Sequence, residues 1–338
     1  MRDGELAEAA GYYQTAIELD ASNPEFFIRL IELLVRTGEA EEALAIAEQV
    51  TVLEPNDDRV WTAVSAAYLA NGDRIGALGD STGADLQYAE AVRAADKAIL
   101  LNPENAIAYA YKAGGLTFPN NPEQYDRAFE AAETAVRLEP DRAVDRAIAR
   151  LYMGNIYDYQ GYYSAGREQY QLGIQADRTL IDLHINLAYN YFGTGSLPEA
   201  ILTFREAIDV DPTNAVAYDG LAYMYLQLGE LPLARENAIE AIALDPNMAR
   251  AYGRLGEAYF KEFNYDKSIE ELLKATEIYG EPTDLNARFF NMLATAYIRK
   301  DLALCTEAVP LFEAVATTDS FVASLALDGL EECRLADR

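Results

Sequence analysis

The sequence predicts an all-α solenoid of antiparallel helix pairs, and three observations carry that reading. An acidic or amide residue followed by proline closes an alanine-rich stretch five times, at Glu54-Pro55, Asn102-Pro103, Glu139-Pro140, Asp211-Pro212 and Asp245-Pro246. The last two prolines stand 34 residues apart, and a fixed period of that length marks a repeat architecture. Between them Tyr218, Leu221, Ala222 and Tyr225 form one apolar face at helical spacing, Gly229 breaks it, and Ala234, Ala238 and Ala241 form a second. One period is therefore a helix, a tight turn and a second helix.

The same phase runs along the chain. Residues 24–57 carry Phe27, Leu30, Gly38, Ala43 and Pro55; residues 58–105 carry Trp61, Tyr68, Gly72, Ala91, Ala98 and Pro103. Residues 106–142 carry Tyr109, Tyr125, Ala128, Ala135 and Pro140, and residues 147–180 carry Gly154, Tyr157, Gly161, Tyr163 and Tyr170. Leu187, Tyr191, Gly195, Ala200, Phe204, Ala207 and Pro212 follow in 181–214, then Tyr252, Leu255, Gly256, Tyr259, Tyr265 and Ala275 in 249–282. A looser unit from Ala287 carries Phe290, Leu293, Tyr297, Ala308 and Phe312. This pattern resembles the tetratricopeptide repeat (TPR), whose small residues let paired helices approach closely and whose proline stops the second helix. The resemblance implies a right-handed TPR superhelical solenoid over residues 24–317, about eight helix pairs long, used as a protein-interaction scaffold.

Two stretches depart from the period. Residues 72–85 and 117–123 read as swollen turns between a first and a second helix. Gly166 and Gly173 occupy a second helix, where each costs up to about 1 kcal/mol relative to alanine, so that repeat reads as the softest.

At the two ends the repeats read as incomplete. Residues 1–23 have the character of a second helix, and 318–338 that of a first helix or a solvating cap. Completion of one repeat between two copies would bury Leu6, Ala9, Tyr13 and Ala16 of one against Val322, Leu325 and Leu330 of the other, a head-to-tail contact that closes a ring or propagates a filament. The alternative is an adaptor that takes a peptide segment of a partner in the concave groove, which in this family is lined by first helices. That face offers Tyr152, Asn155, Tyr159, Asn186, Tyr189, Phe192, Tyr223 and Gln227; rings supply area at low entropy cost and amides pair with a peptide backbone. The family's clamp for a terminal carboxylate is not legible, since Leu151, Val216 and Gly220 stand where basic or amide residues are required.

Composition narrows the chemistry. The chain has 338 residues, with 27 Lys and Arg against 56 Asp and Glu, a formal charge of −29. That field repels nucleic acid and anionic membrane and favours a basic partner. With one histidine, His184, and no recognisable nucleophile or phosphate loop, the sequence reads as non-enzymatic and without a cofactor; His184 replaces a packing aromatic. Asp73, Asp80 and Asp85 lack the alternation of a calcium loop, so no metal is expected. Cys305 and Cys333 read as reaching the same edge of the stack, either as buried thiols, the favoured reading, or as a disulfide. No apolar run approaches bilayer length; the chain reads as soluble, cytoplasmic or exported after loss of a leader.

Overall fold

In the computed structural model, which describes residues 2–118, 121–138 and 143–336, the acidic-proline punctuation ends one helix and prepares the next. After Leu53 the chain turns through Pro55, and the Asp57 carboxylate then accepts from the Arg59 backbone N–H to cap the following helix. Asn23, Asn105 and Asn214 cap in the same manner, accepting from the N–H groups of Glu25, Ala108 and Ala217. Such a cap contributes roughly 1 kcal/mol by satisfying donors that the first turn leaves orphaned.

Two compact units result, Met1–Asn190 and Tyr191–Arg338. The first contains α1 (Arg2–Leu19), α2 (Pro24–Thr37), α3 (Ala40–Leu53), α4 (Asp58–Ala77), α5 (Ser81–Leu101), α6 (Ala106–Thr117), α7 (Tyr125–Arg137), α8 (Ala143–Tyr159) and α9 (Tyr163–Ala176). The division falls within α10 (Ile181–Gly193), a boundary that the sequence reading did not anticipate. The second unit continues with α11 (Leu197–Val210), α12 (Ala215–Leu228), α13 (Leu231–Leu244), α14 (Ala249–Lys261), α15 (Tyr265–Tyr279), α16 (Ala287–Lys300), α17 (Cys305–Ala316) and α18 (Ala323–Ala336). Second helices α3, α5, α7, α13, α15 and α17 each pack on their own first helix and on the first helix of the next repeat.

Close approach rests on glycines that receive aromatic rings. At Gly72, Gly154, Gly220, Gly253 and Gly329 an added Cβ would fall 2.3–2.5 Å from a ring atom of Tyr88, Tyr170, Phe204, Phe289 and Phe312 respectively. Tyr170, Phe204, Phe289 and Phe312 are almost fully buried. Gly166 and Gly173 serve the same end, since a Cβ there would meet the Asp158 carboxylate at 2.1 Å and Leu183 at 2.6 Å. Their lower helix propensity is thus exchanged for packing that alanine would exclude.

The swollen turn expected over residues 72–85 is instead helical. α4 continues to Ala77 and α5 starts at Ser81, so the extra residues lengthen both arms of the hairpin. Asp80 caps α5 by accepting from the Gly83 N–H, and Asp73 accepts from the Tyr88 hydroxyl at 2.8 Å. In the 117–123 stretch a 3-10 turn covers Pro122–Gln124, while residues 119 and 120 lie outside the described residues. Phe263 supplies another departure: it adopts φ 61° at the turn position where other repeats place Gly38, Gly195 or Gly229.

The terminal helices correct the expected assembly surface. Tyr13 packs on the core of α2 and α3 beside Ala10 and Ile17, so it is used within its own chain, as are the buried Val322 and the half-buried Leu330 at the other end. Of the proposed set, Leu325 is exposed, Ala9 and Ala16 are half-buried, and the Leu6 side chain lies outside the described residues. The cysteines also depart from the favoured reading: Cys305 and Cys333 are joined, with Cα atoms 5.6 Å apart, and tie the start of α17 to the end of α18. Among the described residues no helix is long and apolar enough to cross a membrane.

Candidate functional site

Two first helices and the second helix between them build a cleft in the first unit. Asn155, Asp158 and Tyr159 fall at i, i+3 and i+4 on α8, hence on one face, and Asn186, Tyr189 and Asn190 repeat that spacing on α10. Phe118 and Tyr170 complete the lining of a space of about 290 Å³ that also includes Asn155, Asp158, Tyr159, Asn186 and Tyr189.

Hydrogen bonds fix these side chains before any ligand arrives. The Asn155 amide oxygen accepts from the Tyr170 hydroxyl at 2.9 Å and from Asn186 Nδ2 at 2.9 Å. Asp158 Oδ2 lies 3.0 Å from the same Tyr170 hydroxyl and shares its single proton with Asn155, while Asp158 Oδ1 accepts from Asn190 Nδ2 at 2.7 Å. Asn190 also donates to the Tyr163 carbonyl, which fixes its amide orientation. Burial pushes the Asp158 carboxyl up to about 6, against the opposing effect of the Asn190 and Tyr170 donors and the nearby Arg167 charge. Asp73 retains solvent contact, yet loss of hydration among the surrounding helices raises it to about 7, and the charge of Asp182 adds to that rise. The first unit therefore sets carboxylates of reduced acidity among tyrosine rings and amides.

The eight groove residues read from the sequence divide four ways. Asn155, Tyr159, Asn186 and Tyr189 line the cleft. Tyr152 does not: it is buried in the core, with its ring at the Gly114 backbone and edge-on to Tyr111 and Phe118 at 6.4 and 5.8 Å. Phe192 and Tyr223 belong to the second unit, where their rings meet edge-on at 5.3 Å and Tyr223 also faces arginines. Gln227 is exposed on α12. Asp158, Phe118 and Tyr170 were missed, although the i+3 relation of Asp158 to Asn155 was readable from the sequence.

The remaining candidates have structural partners. His184 is 4% exposed and its Nε2 lies 3.2 Å from the Arg178 carbonyl, the setting of a packing residue. Leu151 is buried, and Gly220 is occupied by the Phe204 ring, so a long basic side chain at Gly220 would displace the core. Among the described residues no three His, Cys, Asp or Glu side chains gather as a metal-binding group.

Comparison with known proteins places these features in a family. Tetratricopeptide repeat models match residues 1–67, 181–214, 203–236 and 220–281. The human protein O-mannosyl-transferase TMTC1 is 26% identical over 175 residues, which is 51% of this chain and 18% of that protein, so the chain spans under a fifth of this curated relative's length. Human IFIT1, solved as a dimer with m7Gppp-AAAA, superposes with a TM-score of 0.69 at 19% identity, covering 100% of this chain and 80% of its own. Yeast Tom70 gives a TM-score of 0.54 at 16% identity over 99% of this chain and 86% of its own. At these identities the two structures carry the fold alone.

Proposed function

Because the chain is a tetratricopeptide repeat protein, a fold that serves as an interaction scaffold, we propose that it acts without catalysis and seats an extended segment of a partner protein in the cleft of its first unit. The observation that carries this reading is the convergence of Asn155, Asn186, Tyr159 and Tyr189 on one cleft beside Asp158. Amides meet the peptide backbone, rings cover its side chains, and Asp158 attracts a lysine or arginine that the rings also favour. The net charge of −29 draws such a segment in and weighs against a nucleic-acid ligand of the kind bound by IFIT1.

A random hexapeptide library panned on the protein is expected to enrich lysine and arginine. The Asn186→Ala/Tyr189→Ala double variant should lose at least about tenfold in affinity for the enriched peptide while its melting stays unchanged. Equal binding by the double variant would remove the cleft as the site. Affinity should also fall as pH drops through about 6, where Asp158 takes up a proton. The same raised value sets the sign for stability: the folded carboxyl holds its proton above the unfolded value of 3.8, so its contribution favours the fold at low pH and is lost as pH rises from about 4 through 6. Asp158→Asn should flatten both profiles.

A second reading, head-to-tail association of copies, draws support from apolar side chains left open on the terminal helices. Tyr12 and Leu19 on α1 are exposed, as are Leu325, Leu327 and Leu335 on α18 and Phe321 just before it. Since like-charged chains must approach, sedimentation at about 0.5 M salt should show concentration-dependent oligomers, and Leu325→Glu/Leu327→Glu should return monomer. A single monomeric boundary for the unaltered chain at high concentration would end this reading.

A further inference from the structure

The cleft of the first unit receives aromatic rings from three consecutive first helices. Phe118 follows directly on α6, Tyr159 ends α8, and Tyr189 stands on α10; all three line the same space as Asp158. Neighbouring rings hold two of them before any ligand arrives. Phe118 lies 5.2 Å from the Tyr88 ring and 5.8 Å from that of Tyr152, and Tyr159 stacks with Tyr125 at 6.4 Å. Tyr159 is nevertheless 45% exposed, and Phe118 and Tyr189 are half-buried, so ring surface stays open to a ligand.

The oxygens beside these rings are already engaged. Asp158 Oδ1 accepts from Asn190, Oδ2 shares the Tyr170 proton with the Asn155 oxygen, and that oxygen also accepts from Asn186. The Arg167 charge acts on Asp158 as well, and Arg167 Nε donates to Asn190 Oδ1 at 3.0 Å. A lysine ammonium carries three donors and a tight hydration shell, so on entering it would exchange water for oxygens that other donors hold. A cation without donors makes no such exchange. Ring faces and the field of the carboxylates are what would hold it. Burial and the charges of Asp73 and Asp158 raise the Tyr159 hydroxyl, so that ring stays neutral while both carboxylates act on its surroundings.

We propose that Phe118, Tyr159, Tyr189 and Asp158 form a cage for the trimethylammonium head of an N-trimethylated lysine in the partner segment. This inference rests on the peptide reading of the same cleft and narrows its partner to one kind of side chain. A quaternary ammonium keeps its charge at every pH, has no N–H to satisfy, and is attracted by aromatic faces within about 6 Å. The space of about 290 Å³ corresponds to about ten water-sized groups at about 30 Å³ each, room for the head and its methylene stem. Methylation leaves the lysine charge in place. The net charge of −29 therefore draws in both forms alike, and the rings decide between them.

The experiment titrates the full chain by calorimetry at about pH 7.5, where Asp158 is ionised. The probes are an alanine-flanked pentapeptide carrying trimethyllysine, its lysine twin, a neutral twin in which carbon replaces the quaternary nitrogen, and tetramethylammonium chloride. The trimethyllysine peptide is expected to bind at least about tenfold tighter than either twin. Tetramethylammonium should compete with it but bind more weakly. Tyr159→Leu keeps apolar volume while removing a ring, so it should lose about tenfold in affinity for the trimethyllysine peptide with an unchanged melting curve. Tyr189→Leu, on another helix, should do the same and guards against a folding defect in the first variant. A lysine twin bound as tightly as the trimethyllysine peptide, with both weakened by Asn186→Ala/Tyr189→Ala, would overturn this inference and leave the peptide cleft standing; binding of neither peptide would remove both. Equal binding of the carbon twin, tetramethylammonium bound as tightly as the peptide, or a preference that survives both leucine variants would each overturn the proposal.

Discussion

Phe204→Ala is expected to cost about 3–5 kcal/mol of stability, read as a lower urea midpoint of the second unit, because a fully buried ring is removed from a site that cannot close over the gap. The ring fills the space opposite Gly220, where an added Cβ would stand 2.3 Å from it. The reverse substitution tests the same contact: Gly220→Val should destabilise by roughly 1–3 kcal/mol through overpacking. Combining the two should cost less than the sum, since the new methyl groups occupy space that the ring has left. Strict additivity, or a loss under 1 kcal/mol for Phe204→Ala, would show that ring and glycine do not act as one unit.

Reduction of the Cys305–Cys333 bond should release the last helix before the rest of the chain. The two cysteines are 28 residues apart, and a loop of that length corresponds to about 3.5 kcal/mol of chain entropy removed from the unfolded state. What remains to hold α18 is modest: Val322 and Ala326 in the core, Gly329 against the Phe312 ring, and an exposed Arg299–Glu332 ion pair. Surface pairs of that kind contribute at most about 1 kcal/mol. Amide exchange after reduction, or in a Cys333→Ser variant, should therefore accelerate along α18 and stay unchanged along α4. Equal protection of α18 in both redox states would show that packing alone secures it.

The helix pairs were legible because the punctuation and the apolar period state them independently, as at Asp211-Pro212 and Asp245-Pro246. The cleft was half legible. Asn155, Tyr159, Asn186 and Tyr189 stand on faces that a helical wheel defines, but the wheel cannot separate Tyr152 from them, since its burial depends on a glycine in another helix, Gly114. Asp158 passed unnoticed among 56 acidic residues, its environment being set by Tyr170 and Asn190 from two other helices. Residues 72–85 read as a loop because glycine and aspartate are usual there; in the structure Gly72 is instead the gap that admits Tyr88, and Asp80 is a cap. Tyr13, Val322 and Leu330 were assigned to another copy because an amphipathic face does not say which neighbour covers it.

The long hairpin of α4 and α5 bears on how such a chain can change length in evolution. Its arms have 20 and 21 residues where α2 and α3 have 14 each, gains of 20 − 14 = 6 and 21 − 14 = 7. Each gain is close to two helical turns, about 7 residues at 3.6 per turn. Growth in whole turns returns the apolar stripe to the same azimuth, and growth in both arms together gives each new stripe a neighbour to cover it. Addition of three or four residues to each arm would also satisfy the azimuth, whereas lengthening one arm alone would send bare apolar surface into water. Insertions into this hairpin are thus quantised: tolerated sizes come in steps of about 7 residues shared between the arms, and lineages of this chain should differ here by such steps.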